Sequence, residues 1–137
     1  MNRKLVVILS LLVVMLLLAG CEGYTETNSS SSEQQDGSGG SVSVTIGKAN
    51  GTSTKTLETG ATGAILDAEV ILTAARGSYK IELLGEDGEV TLALEAKDGE
   101  ALRGQGWMVT DSFGEASYRV TAVQAEDVVY SIEYVYR

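Results

Sequence analysis

From Ser41 onward the chain alternates. Val42, Val44 and Ile46 stand between Ser43, Thr45 and Gly47, so an extended strand here has one apolar and one polar face. Asn50-Gly51 follows, a pair suited to a tight hairpin turn, and the Thr-rich run 52–59 is the expected partner strand. Gly60 to Gly63 reads as a loop. Residues 64–75 fit two periods. Ile65, Ala68, Leu72 and Ala75 share one face of a helix; Ala68, Val70, Leu72 and Ala74 share one face of a strand. The strand-like surroundings favour a strand from Asp67, ended by Gly77.

The later segments are clearer. Tyr79, Ile81 and Leu83 alternate with Lys80 and Glu82, and Glu86-Asp87-Gly88 turns the chain. Val90, Leu92, Leu94 and Ala96 alternate up to the next turn, Lys97-Asp98-Gly99. Ala101 to Thr110 is a Gly-containing strand with Trp107 and Val109 on one face and Met108 on the other. Asp111-Ser112-Phe113-Gly114 turns again. Ala116, Tyr118, Val120 and Ala122 mark one more strand, and Val128, Tyr130, Ile132, Tyr134 and Tyr136 mark the last. Tyr79, Tyr118, Tyr130 and Tyr134 fall on the inward faces. The last strand is also apolar at Val129 and Val135, which places it centrally or covered on both sides. About seven or eight strands with regular turns predict an all-β fold, an antiparallel β-sandwich or jelly roll over residues 41–137.

The N-terminal part has a different texture. Arg3 and Lys4 precede a run from Leu5 to Ala19 broken only by Ser10, the layout of a secretory signal and short for a spanning helix. Leu18-Ala19-Gly20-Cys21 then resembles the lipobox of bacterial lipoprotein signal peptides. That resemblance implies a signal peptide over 1–20, cleavage before Cys21, and lipidation of Cys21. It implies a membrane partner through the lipid anchor. It also implies a place in the cell envelope, on the outer face of the plasma membrane or the periplasmic face of the outer membrane. Residues 21–40 are rich in Ser, Gly and Gln, with Tyr24 as the one sizeable apolar group, so composition predicts a disordered linker.

Composition narrows the chemistry. The chain has 137 residues with Lys+Arg 10, Asp+Glu 19, His 0, Pro 0 and Cys 1, for a net charge of -9. Without histidine there is no Ser-His-Asp triad and no imidazole metal ligand. One cysteine forbids an internal disulfide and a thiolate zinc cluster. The acidic balance disfavours nucleic acid as a partner. The carboxylates sit mainly in turns: Glu86, Asp87 and Glu89; Asp98 and Glu100; Glu126 and Asp127. No calcium-loop spacing joins them, so they read as turn formers and solvating groups, and neither a metal nor a cofactor is expected. Gly104-Gln105-Gly106 precedes strand-like residues and has no P-loop lysine, so it is not a phosphate loop.

The segments Gly77-Ser78-Tyr79-Lys80-Ile81, Asp87-Gly88-Glu89-Val90 and Gly114-Glu115-Ala116-Ser117-Tyr118-Arg119-Val120 resemble small accessory β-sandwiches of exported bacterial proteins. Pre-peptidase C-terminal and GOLD-like domains are of this kind. The resemblance implies a binding or accessory module; no Ser-x-x-Lys or other catalytic spacing appears in the domain, so no enzyme is expected. An envelope protein or a glycan is the expected partner, with Trp107 and Phe113 as the candidate ligand contacts. The alternatives are a carbohydrate- or peptide-binding module, which needs aromatics in an open groove, and a small hydrolase, which needs convergent carboxylates or an activated serine.

Overall fold

The computed structural model describes residues 23–137. The signal segment and the lipobox Leu18, Ala19, Gly20 and Cys21 lie outside the described residues. Seven strands run in chain order: β1 Thr25–Thr27, β2 Ser30–Asp36, β3 Gly39–Glu58, β4 Ile65–Leu84, β5 Val90–Lys97, β6 Ala101–Val109 and β7 Glu115–Tyr136. All pair antiparallel. The fold is the all-β antiparallel sandwich that the alternation predicts. Residues 64–75 are strand, not helix: β4 starts at Ile65.

The strand boundaries differ from the expected ones in an instructive way. Asn50-Gly51 is not a hairpin turn, and Gly77 and residues 123–127 do not end strands. Each lies inside a strand of about twenty residues, and the pairing slips there between Ala49 and Gly51 and between Arg76 and Ser78. The slips sit side by side, because Gly51 pairs with Ala122 and Ser78 with Val123. A row of bulges across three neighbouring strands bends the whole sheet. At the bend Gly77 has φ +66, and a Cβ there would come 2.2 Å from the Gln124 carbonyl oxygen, so only glycine fits. Gln124 and Asp127 also take positive φ.

The bend folds one sheet into two layers. The first holds β2, residues 39–49, 126–136 and 65–76, and β6. The second holds residues 51–58, 115–123 and 78–84, and β5. Side chains from both layers meet between them. Tyr130 of the first layer stacks on Tyr79 of the second at 5.8 Å, and Tyr118 meets Tyr130 edge-on at 6.2 Å. The Tyr118 and Tyr130 hydroxyls share a 3.0 Å hydrogen bond although both lie on β7, which therefore folds back on itself. Ile46, Leu66, Val70, Leu72, Ile81, Leu83, Val120 and Ile132 are fully buried around them. Each such side chain contributes about 1.5–3 kcal/mol relative to exposure.

One flank of the sandwich is stitched shut. The Thr91 hydroxyl on β5 accepts the Trp107 N–H at 3.1 Å and donates to the Trp107 carbonyl at 2.5 Å. Gly104 and Gly106 on β6 make room for Leu92 and Leu94 of β5. The glycines of this strand serve packing between layers.

The described part of the expected linker, residues 23–40, needs the largest correction. Composition predicts linker, yet β1 and β2 form the edge of the first layer against β3. Every β2 side chain is exposed, so this strand is held by backbone pairing and not by burial. Asp36 closes its hairpin by accepting the N–H of Ser38 at 2.7 Å and of Gly39 at 3.1 Å. Tyr24 packs against the core and bonds Tyr79 hydroxyl to hydroxyl at 3.0 Å. The sheet therefore starts at Thr25, upstream of the expected Ser41.

Candidate functional site

The period-two rule puts odd-numbered residues of β4, β6 and β7 in the first layer on its outer face. Register then aligns them across strands. One row runs Asp36, Gly39, Val135, Asp67, Trp107; the next runs Gln34, Ser41, Glu133, Glu69, Gln105. Five strands at their usual spacing make each row roughly 19 Å long. These two rows line an open groove of about 850 Å³.

Trp107 stands at the β6 end of this groove, partly buried. Its ring rests on Gly85, where a Cβ would come 2.7 Å from the ring. The missing side chain at Gly85 therefore leaves room for the indole. Of the two aromatics that the sequence singles out, only Trp107 lines the groove. Phe113 is 84% exposed at the tip of the β6–β7 loop and is not part of the lining.

The polar lining is partly committed. Arg137 grips Asp67 with both nitrogens, Nη2 at 2.6 Å and Nε at 3.3 Å, and holds its carboxyl below the usual range. The hydroxyl and N–H of Ser38, with the N–H of Gly39, do the same for Asp36. Glu69 accepts from Gln105 at 3.4 Å and lies 3.8 Å from Arg103. Glu133 has no hydrogen bond or ion pair among the described residues, and its cross-strand neighbour is Glu69. Like charges placed directly opposite on a sheet repel.

A second cavity, about 380 Å³, opens on the opposite flank between β2 and residues 54–56 of β3, and its floor reaches Tyr118 and Tyr130. Two of its charged groups, Glu26 and Lys55, are committed to each other. Burial disfavours the Glu26 carboxylate, but donation from the Tyr24 hydroxyl at 2.6 Å, from Ser29 and from Lys55 at 3.2 Å outweighs that and lowers its pKa. Burial raises the Tyr79 and Tyr130 hydroxyls far above their ordinary value, so both stay neutral.

Among the described residues no three carboxylates converge as metal ligands do. Glu86, Asp87 and Glu89 surround a short 3-10 turn, Glu86–Gly88. Sequence reasoning missed Asp67, Glu69, Gln105 and Glu133 as site residues. Their outward parity was legible, but register across strands far apart in the chain was not.

No protein-family model matches the chain, and no curated protein does. Similar solved structures include the CBM22-1 xylan-binding domain from Paenibacillus barcinonensis Xyn10C, at 13% identity and TM-score 0.41, covering 85% of both chains. A CBM4 structure is 8% identical at TM-score 0.41, covering 87% of this chain and 83% of that one. The cupin domain of Schizosaccharomyces pombe Cnp3 is 9% identical at TM-score 0.39, covering 82% and 64%.

Proposed function

We propose that this domain is a glycan-binding module held at the cell envelope by a lipid on Cys21. The observation that carries the binding half is the open groove with Trp107 at one end and amide, hydroxyl and carboxylate groups along its floor. An indole ring offers a flat apolar surface to the C–H face of a sugar. Gln34, Ser41 and Gln105 supply donors and acceptors for hydroxyls. An open, elongated groove suits an extended polymer better than a small enclosed ligand. The anchoring half rests on the lipobox motif alone, and mass spectrometry of the protein tests it: the mature N-terminus is expected at a lipid-modified Cys21.

The binding test is retardation of the full chain, in detergent, in native gels containing soluble polysaccharide. Retardation is expected, with loss in Trp107→Ala. Retention of full binding by Trp107→Ala would overturn the assignment of the groove. The same mixtures are expected to release no reducing ends. Release that stops in Glu69→Gln would replace binding with hydrolysis.

A further inference from the structure

Building on the glycan reading, we infer that the groove discriminates by ligand charge: it accepts neutral or amine-bearing glycans and turns away uronate-bearing ones. The first support is the fate of the cations. Neither Lys nor Arg lines the groove. The two arginines that border its carboxylates are already engaged, Arg137 bidentate on Asp67 and Arg103 beside Glu69. A sugar carboxylate entering here meets no available counter-charge, and recognition of an anion needs one or a set of converging N–H donors. The N–H groups of Ser38 and Gly39 already serve Asp36.

The second support is Glu133. It projects from the central strand into the row of Ser41, Glu69 and Gln105, with Glu69 directly opposite. The pair repels itself when empty and repels a bound anion. A protonated sugar amine between the two carboxylates relieves that repulsion. Neutral sugars interact through Trp107, Gln34 and Gln105 without a charge term. The chain's net charge of -9 extends the same preference to longer range at low salt.

The test uses the full chain in detergent and three gel-embedded polymers: hydroxyethylcellulose, chitosan and polygalacturonate. Gels are run at about 0.01 M and about 1 M salt, where screening lengths are roughly 30 and 3 Å. The Trp107-dependent part of each retardation is read, which removes ionic adsorption of an acidic protein to chitosan. Expected are binding of hydroxyethylcellulose at both salts, binding of chitosan that weakens with salt, and no binding of polygalacturonate. Glu133→Lys, at an exposed position, is expected to bring polygalacturonate retardation from none to at least about a fifth of that by hydroxyethylcellulose. Arg119→Ala, on the opposite face, is expected to change none of these ratios. Trp107-dependent binding of polygalacturonate equal to that of hydroxyethylcellulose overturns the charge discrimination and leaves the glycan reading standing. Binding of none of the three overturns both. Trp107-dependent binding of oligolysine with no polysaccharide bound reassigns the groove to a basic peptide.

Discussion

The two outer faces of the sandwich are made from the same three long strands but arrange their charges differently. On the second layer, opposite charges face each other. Arg119 stands across from Glu82 and holds it with two bonds, Nε to Oε1 at 3.1 Å and Nη2 to Oε2 at 2.8 Å. Lys80 stands across from Glu95, lies 3.5 Å from Glu82, and Lys97 pairs with Glu95 at 2.8 Å. On the first layer Glu69 stands across from Glu133, and Val135 is left 54% exposed in the same groove. One face is arranged for stability. The other keeps a repulsive pair and bare apolar surface beside a half-buried tryptophan. Local conflict of this kind in an otherwise consistent fold marks a surface kept for something other than folding.

The largest expected effect separates the faces by function. Trp107→Ala is expected to weaken glycan binding at least about tenfold, or about 1.4 kcal/mol, while Arg119→Ala leaves it unchanged in the same affinity gels. Equal losses in both would erase the distinction.

Next comes stability. Arg119→Ala leaves Glu82, only 8% exposed, without its main partner, and is expected to cost about 1 kcal/mol in urea unfolding. The pH dependence follows from the same pair. Arg119 hydrogen bonding holds the Glu82 carboxyl below its ordinary range in the folded chain. The unfolded state then binds the proton more tightly, so the stabilisation is present above the unfolded value of about 4.3. It is lost as pH falls below that value and through the folded one. Urea midpoints measured from neutral pH down to about pH 3 are expected to fall less steeply in Arg119→Ala than in the wild type.

The smallest expected effect has the opposite sign. Glu133→Gln removes a like-charge neighbour of Glu69 and is expected to raise stability by about 0.5 kcal/mol. A loss of stability would show that the repulsion is already relieved in the native protein.

Much of the fold is legible in local pattern. Val42-Val44-Ile46, Tyr79-Ile81-Leu83 and Val128-Tyr130-Ile132-Tyr134 reveal which face is buried, because period two is imposed by strand geometry whatever the strand pairs with. The same pattern cannot distinguish a turn from a bulge. Asn50-Gly51 and Gly77 permit positive φ in either setting, and only pairing with β7 makes both of them bends within continuous strands. The run 30–36 was obscured for a different reason. Its strand is held by backbone bonds to β3 and has no buried side chain, so hydropathy carries no trace of it; Asp36-Gly37 was the one local signal.

The sequence by itself determined the all-β class, the inward tyrosines and the acidic character, and it singled out Trp107 as a candidate contact. It also determined that a histidine-based mechanism is impossible. Only the tertiary structure decided that Trp107, Asp67, Glu69, Glu133 and Gln34 share a groove while Phe113 stands apart. Alternation specifies a face within a strand. Which faces lie side by side depends on long-range register, set when residues more than sixty positions apart pair across β3, β4 and β7.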